Sequence, residues 1–566
     1  MLAVSLPRSL RLLAPVCILA LLAVPAPAVG GTCAGNPGYP NDPDYAPAER
    51  GTSSEATWND EQWYLYSCLP ADAPGATDPE GASGMSVDRV WNDLATRGRD
   101  EVLMAYMEGG VNWRLDDSQE LRLRAYLNSG ELPLPEDPNG ITHGTYDLNG
   151  DGVINVDDYA DDPRVGRLHP NAGGVTSEDL IVAFSDGVDD DGNGYVDDIS
   201  GWNFHRDTND PQTDNSAYGH ANGESRQALA ETDNALSTAG MCPKCRLLSV
   251  KCGDEAIDRP DRVAEGITFA VDSGAKVIIG VIASTGLIPE VAQALRYAYD
   301  HNVVVAWASN DFDSGDHTDG MFYPHLWPGN SIVGDQSTRG QQSPSVLSNR
   351  TYRVRSTLTS FGPHGLFSVP NNDGSTSTGT PTQAGVAALV ISAGLDAAQA
   401  SEIAGPLSAD EVKQVVRSTV SPIDDPTLPF PGLPGATFNV QYGYGRPNVY
   451  RAVQAVHAGQ IPPTADILQP DWYQEIDPTR RSFLEVSAAI AARNPGRYAY
   501  SVEYGLGPQP LESAFVAIRI TSPGISSCSP WEVGITRAPC VSGSTRRRFQ
   551  RGCPGRFCQS IEQGTW

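Results

Sequence analysis

The sequence predicts an α/β domain built on a parallel sheet, followed by a small β-rich domain. Three observations carry this. Between Val102 and His457, apolar strand-like runs (VLMAYM, RLLSVKC, AKVIIGVIAS, NVVVAWAS) alternate with helical patterns, the order expected of β-α-β units. After QIPPTADILQP, around Gln460 to Pro470, the pattern changes to short alternating segments such as SFLEVSAAIAA and RYAYSVEYG. The chain has 566 residues, 40% of them hydrophobic, enough for one large core and a smaller one.

Helices are expected at Pro289–His301, Gln383–Ser392 and Ser408–Thr419. The last begins with a capping box, Ser408 with Glu411. The resulting organisation is a leader over residues 1–30, an extended N-terminal segment over 31–86, the α/β domain over 87–457, a linker over 458–470, the β-rich domain over 471–524, and an irregular Arg- and Cys-containing tail over 525–566. The tail contains TRRRFQRGCPGRFCQ, which has no readable periodicity and fits either a disordered basic tail or a reading-frame error.

The leader places Arg8 and Arg11 before the apolar run LLAPVCILALLAV and the small-residue stretch PAPAVGG. That is the pattern of a secretory signal peptide, too short for a membrane span. An exported location follows as the expectation, with no stable membrane insertion. The net charge of −30 and a pI near 4.5 argue against nucleic acid or an anionic membrane as partner, since both need a cationic face, and suit a protein that meets metal cations. Nine of the ten cysteines lie beyond the leader, where disulfides can form. CPKC, Cys242 to Cys245, has no second ligand pair nearby and reads as a loop staple; Cys33 and Cys68 could tie down the N-terminal segment.

Two loops have the oxygen spacing of calcium sites. DLNGDGVINVDD offers Asp147, Asn149, Asp151, Asn155 and Asp158 at loop positions 1, 3, 5, 9 and 12, with Gly152 sixth, where the chain must turn sharply. DDDGNGYVDD offers Asp189, Asp191, Asn193 and Asp197 at positions 1, 3, 5 and 9, but Ser200 occupies the twelfth, so a differently completed site is expected there. The competing reading of each loop is a solvated acidic turn. Calcium as a structural cofactor is the expectation.

The stretch STSTGTPTQAG, from Ser375, leads into a buried helical pattern. Ser377 within it is either a nucleophile or one hydroxyl of a polar helix cap. A nucleophile needs a base, a group to orient the base, and donors for the oxyanion. His220, in YGHANGES, precedes a helical run. Asn310 closes the strand NVVVAWAS, and Glu108 follows the strand VLMAYM, both at C-terminal strand edges where open α/β sheets bind ligands.

Taken together these stretches resemble the subtilases, the subtilisin-like serine peptidases, over residues 87 to 453. STSTGTPTQAG is similar to the family's GTSMATPHVAG, GHAN to its GHGT, ASN ending at Asn310 to its AAGN, and MAYMEGGV to its VAVIDTGV. LNSGELP, DDDGNGYVDDISGWNF, MCPKCRLLSVKC and YGYGRPNVYRAV echo further family segments in the same order. The resemblance implies a subtilisin-like sheet flanked by helices and an endopeptidase acting on polypeptides. It assigns Ser377 as nucleophile, His220 as base, Glu108 as the orienting acid and Asn310 as oxyanion donor.

Two stretches imitate these motifs. IVAFSDGV carries Asp186 and ITHGT carries His143, but each runs into a calcium-like loop. Four departures from the family pattern stand out: Glu108 in place of Asp, Ala221 and Asn222 in place of Gly and Thr, Ser375 in place of Gly, and IIGVIAS from Ile278 in place of the strand edge NMSLGG. Glu108 reaches too far unless the strand shifts, and a misplacement of about 1 Å costs on the order of 100-fold in rate. The alternative is therefore a silent subtilase-like scaffold, an exported calcium-binding or adhesion protein.

Overall fold

The computed structural model describes residues 40–45, 62–68, 84–255, 259–281, 288–311, 325–333, 353–423 (without 357, 363 and 373) and 438–470, with shorter pieces between 477 and 558. The leader, Cys33 and most of the tail lie outside them.

Six strands form one parallel sheet: β1 (Leu103–Glu108), β2 (Gly201–Asn203), β3 (Arg246–Lys251), β4 (Val277–Gly280), β5 (Val304–Trp307) and β6 (Leu326–Pro328). Their spatial order is β2-β3-β1-β4-β5-β6, with every pairing parallel. The apolar runs of the sequence are continuous because both faces of a parallel sheet are covered. All six residues of β1 are buried, and their alternation sends them to opposite layers. Met104 and Tyr106 join the core cluster on one face, whereas Leu103, Ala105 and Met107 join the other.

The second face is covered by α4 (Pro260–Asp272) and α5 (Pro289–Asp300), through Val263, Ile267, Val291 and Leu295. The first face is covered by α1 (Val87–Asp93), α3 (His220–Leu229), α6 (Thr376–Gln399), α7 (Ala409–Thr419) and α8 (Val449–His457). Helix α2 (Ser177–Phe184) lies with the calcium-like loops over a separate small cluster that includes Val156, Tyr159, Leu180 and Ile181. The 24-residue α6 is buried along almost its whole length, which explains its apolar, small-residue sequence. Ser408 and Glu411 make the expected capping box at α7.

A small mixed sheet follows from β7 (Asn330–Val333), β8 (Val354–Arg355) and β9 (Ser368–Pro370). Beyond the α/β domain, β10 (Thr464–Gln469), β11 (Phe483–Ala491), β12 (Glu503–Tyr504), β13 (Val516–Ala517), β14 (Val533–Pro539) and β15 (Phe557–Cys558) make two antiparallel sheets, β10-β11-β14 and β13-β12-β15. Strand β10 thus begins inside the stretch read as a linker, and β14 and β15 lie in the stretch read as an irregular tail. Arg493, just after β11, holds this region to the α/β domain through Glu411 at 2.6 Å and the carbonyls of Gly405 and Pro406.

Cys242 and Cys245 are disulfide-bonded, as the loop-staple reading expects, and Cys68 is also in a disulfide. The N-terminal lead-in contributes to the core: Trp63, Tyr64 and Leu65 are buried in a 3-10 turn. No helix among the described residues is long and apolar enough to cross a membrane.

Candidate active site

The chain builds β1, runs outward to β2, returns by β3, and crosses to β4 on the other side of β1. The crossover therefore opens a crevice at the C-terminal end of β1, where Glu108 ends the strand. Gly109 and Gly110 follow. A Cβ on Gly109 would stand 2.8 Å from the Tyr218 ring and 2.3 Å from the Asp254 carbonyl, and Gly110 has φ +90. Glycine there lets the Tyr218 loop close onto the strand end.

Glu108 is 1% exposed, and its Oε1 lies 2.5 Å from His220 Nδ1. The Tyr218 hydroxyl donates to the same oxygen. Burial, then the neighbouring Glu108 charge, pushes the Tyr218 phenol well above its usual range, so it acts as a donor. The structure thus brings together two of the predicted residues, and the longer acid reaches the imidazole. His220 is the first residue of α3, and Asn222 docks that helix onto the loop after β1: its Oδ1 accepts from Asn112 N at 2.8 Å, and its Nδ2 donates to Asn112 O and Asp117 Oδ1. The departures Ala221 and Asn222 are both buried, and Asn222 supplies the docking bonds.

Ser377 lies in the first turn of α6, which packs against α3. The cap is a different residue. Ser375 precedes the helix in extended conformation, and its Oγ accepts from Thr378 N. This also accounts for Ser375 standing where the family has glycine. Ser377 Oγ donates to Ser375 Oγ at 3.3 Å.

Asn310 follows β5 with φ +90 and is buried. The next residue, Asp311, accepts from Thr376 N at 2.7 Å and thereby ties the end of β5 to the start of α6. Asn310 and Ser377 are held one residue to either side of that bond. A strained φ at a strand end beside a helix N-terminus is a feature of functional sites. At the altered strand edge, Gly280 ends β4 against the Trp307 ring, which a Cβ would approach to 2.2 Å; Ile282 to Ser284 lie outside the described residues.

The imitating motifs fall elsewhere. Asp186 is exposed, follows α2 rather than a strand, and accepts from Val188 N. His143 is exposed and contacts Asp137.

In the first calcium-like loop, Asp147 accepts from the Gly150 and Gly152 amides, Asp151 from Val153 N, and Asn149 from Asp151 N. Asp158 accepts from Leu148, Asn149 and Asn155 amides, and Asn155 caps the following turn. In the second loop, Asp189 and Asp191 converge with Glu131 of LNSGELP, their oxygens within 4.8 Å of one another. Glu131 is not among the residues that loop spacing selects, because it comes from LNSGELP, 60 residues before Asp191. Its carboxylate also accepts from the Asp191 and Asp197 amides. Asn193 donates to Asp191 and Asp198, and Asp197 accepts from the Asp186 and Gly187 amides instead of facing the cluster. Burial pushes the Asp198 carboxyl up to about 7, against hydrogen bonds from Asn128 and Asn193. An all-oxygen set of three carboxylates fits a hard cation such as calcium.

The model of the subtilase family, Peptidase_S8, matches residues 140–445, more than half of the chain. The chain belongs to the subtilase family. Thermitase of Thermoactinomyces vulgaris is 29% identical over 266 residues, 45% of this chain and 81% of thermitase. The major intracellular serine protease of Bacillus subtilis (strain 168) is 27% identical over 282 residues, 48% of this chain and 80% of that protein. Among solved structures, a prenylagaramide maturation protease overlays with TM-score 0.37 and 14% identity, covering 66% of this chain and 98% of that one. The family span begins after Glu108 and includes Asp186; of these two acids, Glu108 is the one in contact with His220 in this subtilase.

Proposed function

We propose that this subtilase is an exported, calcium-stabilised serine endopeptidase acting on polypeptides. The observation that carries the reading is the Glu108 Oε1 to His220 Nδ1 contact of 2.5 Å on α3, the helix that packs against α6 and whose Glu224 accepts from Thr378, the neighbour of Ser377. Ser377 Oγ attacks the scissile carbonyl while His220 Nε2 takes its proton; the same imidazolium then protonates the leaving amine. Glu108 fixes the tautomer and orientation of His220 and stabilises its charged form. Asn310 and the Ser377 backbone N–H receive the oxyanion, and the N-terminal dipole of α6 adds to that stabilisation.

Glu131, Asp189 and Asp191 would hold one calcium ion, and Asp147, Asn149, Asp151, Asn155 and Asp158 a second. Bound calcium would neutralise carboxylates gathered on two adjacent loops and fix those loops over α2. Export rests on the basic, apolar and small-residue sequence of residues 1–30.

The test is labelling of the purified mature protein with a fluorophosphonate probe, with and without calcium, the adduct being mapped by mass spectrometry beside a Ser377→Ala control. An adduct on Ser377 is the expected result. A folded, calcium-loaded sample that takes no label would replace this reading with the silent scaffold.

A further inference from the structure

His220 opens α3, and the side chain four residues on, Glu224, shares its face of the helix. Glu224 is 8% exposed, and its Oε1 lies 3.8 Å from His220 Nε2, on the side of the ring opposite Glu108. The same Oε1 accepts from Thr378 Oγ1 at 3.1 Å. Thr378 in turn accepts from Ser375 Oγ at 3.0 Å, and Ser375 accepts from Ser377 Oγ at 3.3 Å. Three hydroxyls therefore run in one direction, from the nucleophile to a buried carboxylate, and the carboxylate ends beside the imidazole nitrogen that must accept the nucleophile's proton.

We propose that Glu224 is a second carboxylate of this site, a positioning residue that sets the protonation of His220 and parks the Ser377 hydroxyl on Ser375 in the resting enzyme. The inference rests on the peptidase reading of Ser377 and His220. A buried anion on each side of the imidazole favours the imidazolium, which cannot accept a proton. The other groups packed around His220 leave that balance to the two acids. His220 meets Glu108 of β1, Tyr218 of the preceding loop and Glu224 of α3; Tyr106 of β1 lies near both acids, and Glu255 acts on Tyr218. Both tyrosines are kept neutral by burial. Glu224 thus makes the site pH-gated: His220 becomes a base, and Ser377 is released to it, only as the pH rises far enough to strip the proton that two carboxylates hold.

The experiment is a pH titration of His220 by NMR in the ¹⁵N-histidine-labelled full chain, the resonance being assigned by its loss in His220→Gln. Glu224→Gln keeps the shape and an acceptor for Thr378; Glu224→Met is a second, apolar replacement of similar size. In either folded variant the His220 midpoint is expected to fall by about one pH unit, the low end for removal of a neighbouring charge because the imidazole is partly solvent-screened. The ascending limb of the fluorophosphonate labelling rate should move down with it. A midpoint that stays put in both folded variants overturns the proposal, because a purely structural Glu224 would change melting temperature without moving the titration. A midpoint that moves while Ser377 takes no label at any pH would keep the role of Glu224 and remove the peptidase reading.

Discussion

Glu108 Oε1 lies 2.5 Å from His220 Nδ1, and Tyr218 donates to the same oxygen. A glutamate thus occupies the contact to the imidazole from the end of a strand that is paired on both sides. Because β3 and β4 hold the backbone of β1, the strand has little freedom to follow a shorter side chain. Glu108→Asp withdraws the carboxylate by one C–C bond, about 1.5 Å, and is expected to lower the Ser377 labelling rate 10- to 100-fold. Glu108→Gln, which misdirects the tautomer, should lower it by about 10⁴-fold. An unchanged rate in Glu108→Gln, with Asp186→Ala abolishing labelling, would move the acid to Asp186.

Asn310 carries the second prediction. Its φ of +90 is more costly for alanine than for asparagine or glycine, so Asn310→Gly is the clean variant: it removes the amide and keeps the backbone relaxed. Loss of one oxyanion donor should reduce kcat by about 10²- to 10³-fold with little change in KM. A rise in KM at constant kcat on a peptide substrate would instead make Asn310 a binding residue.

How much of this was legible depends on sequence distance. The sheet and its flanking helices announce themselves through local periodicity, and Ser408 with Glu411 is a motif four residues long. Glu108, His220, Asn310 and Ser377 stand at strand ends and helix starts, but each is weak alone in the sequence, and only the resemblance to the subtilases gathers them into one set. Glu224 was not legible: on α3 it reads as one more polar helix residue, and only the packing of α3 on α6 puts it beside Thr378. Asp311 was missed for the same reason, since its partner Thr376 is 65 residues away. Glu131 joins the second acidic loop from outside it, while Asp197, which spacing assigns to the ninth ligand position, accepts from the Asp186 and Gly187 amides.

The acidic loops give a prediction about stability. Glu131, Asp189 and Asp191 repel one another unless a cation or protons intervene. Adding calcium at about 100 times its dissociation constant should stabilise the native state by about 2.7 kcal/mol per site, and chelation should lower the melting temperature accordingly. Glu131→Gln should weaken calcium binding at the second loop and leave the first intact, whereas Asp147→Asn should do the reverse. A melting curve indifferent to calcium and chelator would mean that both loops are solvated acidic turns.

The junction with the C-terminal sheets contains a carboxylate whose titration makes the last prediction. Asp466 on β10 sits 3.5 Å from His325 Nε2 and accepts from the Tyr299 hydroxyl at 3.4 Å. Nearby, Lys413 pairs with Asp410 at 2.6 Å. Burial pushes Asp466 up to about 6 even though Lys413 pulls it down. Its native pKa therefore lies above the unfolded value of 3.8. The native state keeps a proton that the unfolded chain releases, so the contribution of Asp466 to stability falls as pH rises from about 4 to about 6. Two pH units correspond to about 3 kcal/mol. His325, held down to about 3 by burial, imposes a slope of the opposite sign between pH 3 and 6.5, because only the unfolded chain protonates it there. The wild-type profile alone would mix the two, and the comparison has to be with Asp466→Asn. The stability of that variant relative to wild type, read from urea midpoints at successive pH values, should rise by about 2–3 kcal/mol between pH 4 and pH 6.5 and level off above it. A difference that stays constant with pH would mean that Asp466 is ionised throughout, held by Lys413 more strongly than burial opposes it.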